Sequence, residues 1–164
     1  MKLHNRRLLT AAFATASLLA AATAQAKIYA YGAYGFNFSA TPTTGYAAVP
    51  LTDTGKTSLK FKTTKDGMAV MISFTAECSI NTAGSAWVDV DVMVDGVAIS
   101  PTAQTSDAFC GADGVAGYDP FTSAAVNVVA VVPVAGTHTV EVRARASDNT
   151  SGIWVSDTSI VVHD

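Results

Sequence analysis

From residue 58 onward, apolar and polar side chains alternate one for one, and no other feature of the sequence constrains the fold as strongly. In 67–79 (GMAVMISFTAECS), Met68, Val70, Ile72, Phe74, Ala76 and Cys78 share one face. In 86–95 (AWVDVDVMVD), Val88, Val90, Val92 and Val94 alternate with Trp87, Asp89, Asp91, Met93 and Asp95. Residues 138–146 place Val140, Val142, Ala144 and Ala146 opposite Glu141, Arg143 and Arg145, and 58–64 alternate Leu59 and Phe61 with Lys60 and Lys62. Successive side chains of a strand point to opposite faces, so each segment reads as a strand with one buried and one wet face. Residues 124–132 (AAVNVVAVV) are more uniformly apolar and read as a strand covered on both sides. Residues 153–162 read as a last strand or a broken pair.

Turn chemistry falls between these runs. Asp95-Gly96 separates Val94 from Val97, a tight-hairpin signal, and Lys65-Asp66-Gly67 joins two strands in the same way. Ala135-Gly136-Thr137 and Asn149-Thr150-Ser151-Gly152 punctuate the C-terminal half. Short strands with frequent turns and no helical stripe specify an all-β chain. The expected fold is a single antiparallel β-sandwich, jelly-roll-like, with an immunoglobulin-like sandwich as the alternative. Residues 100–123 read as a long loop with a short strand near 108–110. Residues 27–57 read as an aromatic, Gly- and Thr-rich segment carrying an edge strand, and 58–164 as the sandwich body.

The first 26 residues read as a secretory signal peptide. Lys2, Arg6 and Arg7 give a positive start, Leu8–Ala22 an uncharged stretch, and Ala24-Gln25-Ala26 a small-x-small cleavage site. The stretch is about 15 residues, short of the roughly 20 that span a bilayer. Without these residues, seven basic side chains face 13 acidic ones, a formal charge of −6 with His neutral. No basic cluster remains for nucleic acid, and no second apolar run is long enough for a membrane span. The chain is therefore expected in the periplasm, outside the cell or on its surface. In such a compartment Cys78 and Cys110 are expected to form one disulfide. Closing a loop of about 33 residues is worth roughly 3.5–4 kcal/mol on a chain-entropy argument.

Gly136–Ala144 (GTHTVEVRA), a polar loop, Trp154 and the closing Ser159-Ile160-Val161-Val162 together resemble the last strand pair of jelly-roll modules, relatives of the C1q/TNF-like fold, found on bacterial and phage surface proteins. The resemblance implies a module that binds proteins or sugars through its loops and commonly trimerises. No collagen-like stalk precedes the strands here, and no catalytic or ligand residue carries over.

The chemistry in the sequence is sparse. His138 and His163, distant from each other, do not supply the several imidazoles of a copper, zinc or cupin centre, and His138 reads as a half-buried structural residue. Asp89, Asp91 and Asp95 share a strand face, but side chains two apart on a strand lie roughly 6.5–7 Å from each other, wide for shared coordination of Ca²⁺. Glu77 is expected to pair with Arg143 or Arg145 across strands. No G-x-S-x-G elbow or nucleophile-base set occurs. The expectation is a protein with no catalytic, cofactor or metal residues, which acts by binding or assembly. Trp87, Asp89 and Asp91, expected on the wet face, form the candidate contact surface for a protein or glycan. Homo-oligomerisation is also expected. The alternatives are a fimbrial or coat subunit adding residues 28–39 to a neighbour's sheet, and an exported carbohydrate-active protein. The aromatic rings of 29–46 are expected to pack mainly against the core.

Overall fold

A computed structural model describes residues 26–40, 45–82, 84–103, 108–117, 119–148 and 150–164. The leader assignment therefore falls almost wholly outside the described residues. The elements are β1 (Ile28–Tyr34), β2 (Phe38–Ala40), β3 (Ala47–Ala48), β4 (Ser58–Thr63), β5 (Met68–Asn81), β6 (Trp87–Val94), β7 (Val97–Ala98), β8 (Cys110–Gly111), β9 (Thr122–Val132), β10 (Gly136–Ala146) and β11 (Gly152–His163). There is no helix among the described residues.

The strands form two antiparallel sheets. Sheet A runs β1-β11-β5-β9, with β2 also on β11; sheet B runs β3-β10-β6-β7, with β4 also on β10 and β8 on β6. The long strands β4, β5, β6, β9, β10 and β11 alternate between the sheets, which is a jelly-roll weave. An immunoglobulin-like sandwich keeps its last two strands in one sheet, whereas here β10 and β11 lie in different sheets. The alternation seen in the sequence fills the space between them. Val70, Ile72, Phe74, Val128, Ile160 and Val162 face inward from sheet A, and Val88, Val92, Val140, Val142 and Phe61 from sheet B, all at most 2% exposed. Cys78 and Cys110 form a disulfide with a Cα–Cα distance of 6.3 Å, tying the end of β5 to β8.

The turns follow their chemistry. Asp95 (φ 50°) and Gly96 (φ 79°) both take the left-handed conformation of the tightest hairpins. In β11 the apolar phase changes: Ile153 and Val155 point inward, then Ile160 and Val162 do. A one-residue slip would turn half the strand inside out. A register shift between Ser156 and Ser159, with Asp157 at φ 45°, absorbs the slip.

Two expectations fail here. β9 is an edge strand, not one covered on both sides: its burial alternates, and Val129 and Val131 are 55% and 67% exposed. Its uniform apolarity concealed the alternation because the outward positions are also valine and alanine. The aromatic rings of the N-terminal segment are divided. Tyr29 and Phe38 pack partly on the core, while Tyr31 and Phe36 are exposed. That segment is also integral to the sandwich, since Val49 and Leu51 are fully buried.

Gly32 on β1 shows how closely the two layers approach. A Cβ there would lie 2.3 Å from the Leu51 carbonyl oxygen and 2.9 Å from Leu59 Cδ1. Gly32→Ala is expected to cost about 1–3 kcal/mol, read as a lower thermal midpoint, because backbone cannot yield as a side chain does. Gly35→Ala, whose Cβ would come no nearer than 4.0 Å to Asp157 Oδ1, is expected to leave the midpoint unchanged.

Candidate functional site

The outer face of sheet B carries the residues expected to form a wet contact surface, and the structure buries two of them. Asp89 and Asp91 are 1% and 3% exposed, and Trp87 is half-buried. The cause is register. β6 lies inside sheet B, and β10 places Arg145 opposite Asp89 and Arg143 opposite Asp91. Arg143 Nε and Nη2 donate to Asp91 Oδ2 at 2.9 and 2.7 Å; Arg145 donates to Asp89 Oδ2 at 3.1 and 3.0 Å. Trp87 Nε1 donates to Asp89 Oδ1 at 2.7 Å. Tyr46 then stacks on both guanidinium groups, at 4.5 and 4.7 Å from its ring centroid. The trio is thus an internally satisfied ion-pair layer rather than an open carboxylate patch. Burial pushes the Asp89 carboxyl above its usual range despite Trp87 and Arg145.

The expected pairing of Glu77 with Arg143 or Arg145 does not form. Glu77 lies on β5 in sheet A, and both arginines belong to the aspartates of β6. His138 is 8% exposed, as expected for a structural residue. Its Nδ1 lies 2.7 Å from Asp95 Oδ2 and its Nε2 3.0 Å from the Val134 carbonyl, joining the turn after β6 to the turn before β10. Asp95, grouped with Asp89 and Asp91 in the sequence reading, belongs to this turn.

Shallow depressions open at two places among the described residues. One of about 500 Å³ opens between β1 and β4, lined by Ile28, Tyr29, Ala30, Tyr31, Leu59 and Lys60. The other, about 320 Å³, lies beside Trp87 with Ser147 and Asp148. Burial works to raise the Asp148 carboxyl, but hydrogen bonds from Ser151 and Thr150 outweigh it and hold the group at about 2. No set of three or more His, Cys, Asp or Glu side chains is placed to hold a metal among the described residues. No described helix is long and apolar enough to cross a membrane.

The outer face of sheet A is of the opposite character. Register aligns Ile28, His163, Met71 and Val129 in one row across four strands, and Tyr31, Val161, Ser73 and Asn127 in the next. Ala33, Ser159, Thr75 and Ala125 make a third row, and Ala69 with Val131 extend the first side. Ile28, Tyr31, Met71, Val129 and Val131 are 38–77% exposed. These rows hold no Asp, Glu, Lys or Arg over an area of about 14 by 20 Å, from the usual strand spacing and rise. The sequence reading missed this face because it placed a cover over β9. The signal lay in β9 itself, 11 residues without a charge.

No protein-family model matches the chain, and no curated protein matches it.

Two outcomes test the electrostatics. Asp89→Ala is expected to cost about 3 kcal/mol, since it leaves Arg145 largely buried without its partner, while Asp89→Leu with Arg145→Met is expected to cost less than the single change. Denaturant unfolding of the two variants checks this. Asp95 and Asp148 are held below the usual carboxylate range, so their stabilisation is present at neutral pH and is lost as pH falls toward about 2. The thermal midpoint is expected to fall in acid, and Asp95→Asn with Asp148→Asn is expected to flatten that acid limb.

Proposed function

We propose that the chain is an exported, non-catalytic β-sandwich that works by assembly, with a second copy of itself seated on the outer face of sheet A. The observation that carries this reading is the uncharged, partly apolar face running from Ile28 and Tyr31 through Met71 to Val129 and Val131. An antiparallel sheet with one wet face normally makes that face polar, and a contiguous exposed apolar patch marks an interaction surface.

Charge argues for a second copy as the occupant. Each copy without residues 1–26 carries a formal −6, so two copies repel where their carboxylates meet. This face, free of charged residues in its central rows, lets them approach without that cost. The resemblance of 136–162 to C1q/TNF-like modules, which commonly trimerise, supports a trimer as the assembled form. The disulfide accords with an oxidising compartment. The strand-addition alternative has less support. Residues 28–34 and 38–40 already pair with β11 of their own chain and would have to be released first.

Sedimentation of the processed chain tests the reading. Wild type is expected to show a concentration-dependent oligomer that Val129→Lys converts to monomer. Val97→Lys, an exposed valine at the start of β7 in sheet B, is expected to leave the oligomer intact. A wild-type monomer at every concentration overturns the proposal.

A further inference from the structure

The small-x-small motif of the leader ends at Ala26, and the bond that follows it, Ala26–Lys27, stands at the edge of the fold. Both residues are exposed, and β1 begins one residue later, at Ile28. Ile28 pairs with His163 across the β1–β11 ladder. One more residue on each strand prolongs that ladder, because the Asp164 N–H donates to the Lys27 carbonyl at 3.3 Å. In return the Lys27 N–H donates to Asp164 Oδ1, and the Tyr29 hydroxyl donates to Oδ2 at 3.0 Å. Both oxygens of one exposed carboxylate are thus engaged by the residues that immediately follow the expected cut.

The other charged and titratable groups at this point each have their own place. The Lys27 side-chain ammonium lies over the Tyr29 ring, 5.2 Å from its centroid. His163 Nδ1 is 2.9 Å from the Asp164 carbonyl oxygen, and Lys60 of β4 lines the same depression as Ile28 and Tyr29. The Lys27 N–H first, then the Tyr29 hydroxyl, hold the Asp164 carboxyl below its usual range, so it is ionised at neutral pH. In the uncut chain the nitrogen facing this carboxylate is an amide, with one hydrogen and no charge. Hydrolysis of the Ala26–Lys27 bond consumes one water, leaves a carboxylate on Ala26, and makes that nitrogen an ammonium with three hydrogens. The new cation forms already in contact with Asp164, and a charge-assisted hydrogen bond replaces a neutral donor.

We propose that Ala26–Lys27 is the bond at which a leader peptidase processes this chain, and that the cut itself builds an ion pair between the Lys27 α-ammonium and the Asp164 carboxylate, clasping the first strand of sheet A to the last. The proposal rests on the exported reading and is independent of association through sheet A. Position matters to the residue. A cut one bond later removes Lys27 and its contact with Oδ1, and a cut several bonds earlier leaves a neutral amide there. The pair is exposed, so its contribution is small and is screened by salt. Its effect is selective, however. It strengthens the processed chain and not the precursor, and it does so at the free end of β1, an edge strand of its sheet.

Terminal sequencing of the chain exported with its leader is the first test, and the sequence is expected to begin at Lys27. The second compares thermal midpoints, at equal protein concentration, of chains that begin at Lys27 and at Thr23, each with and without Asp164→Asn. Asp164 is exposed, so the Asn variant keeps the fold. At low salt the chain beginning at Lys27 is expected to melt about 1–3 °C above the one beginning at Thr23. The gap is expected to close in about 1 M NaCl, where the Debye length is about 3 Å, and to vanish in Asp164→Asn at either salt. Equal midpoints at low salt, or a gap that survives Asp164→Asn or high salt, overturn the proposal and leave the exported reading standing. So does an exported chain cut at another bond. A chain that is never cut overturns the proposal and the exported reading together.

Discussion

Everything in this molecule depends on burying alternate side chains of long strands between two sheets. Val88, Val92, Val140 and Val142 from one sheet meet Ile72, Phe74, Ile160 and Val162 from the other, in a layer from which water is excluded. Because the strand period is two, this single requirement also fixes which residues lie on the outer faces. Those outer faces are by-products of the core, and what the sequence places there decides what the molecule can do.

The two outer faces are used in opposite ways. On sheet B, aspartates of β6 and arginines of β10 face each other in register, and Tyr46 closes over the arginines. The charges satisfy one another internally. Such a layer adds little net stability against an apolar replacement, but single losses are severe and the register it requires is unique. On sheet A, the corresponding positions carry uncharged side chains in place of such pairs, and Tyr31, Met71, Val129 and Val131 among them are 38–77% exposed. This asymmetry is why the proposed association is assigned to sheet A rather than to sheet B.

The sandwich, its turns, the disulfide and the inward valines were readable in the sequence because each is a local signal: a two-residue period, an Asp-Gly pair, an even cysteine count. The outer faces were not readable, because they depend on which strands become neighbours. Asp89 and Asp91 looked wet on their own strand, and only the pairing of β6 with β10 brings arginines to bury them. Val129 and Val131 looked buried on their own strand, and only the edge position of β9 exposes them. The same blindness sent Glu77 toward arginines that stand in the other sheet.

Two methionines report on the asymmetry between the faces most directly. Met71 and Met93 both occupy outward positions in the sequence pattern, on β5 and β6. Met71 is 38% exposed on sheet A, and Met93 is 6% exposed on sheet B. Pulsed oxidation of the monomeric chain, read by mass spectrometry, is predicted to convert Met71 to its sulfoxide well before Met93. Equal oxidation of the two, or faster oxidation of Met93, would contradict the account.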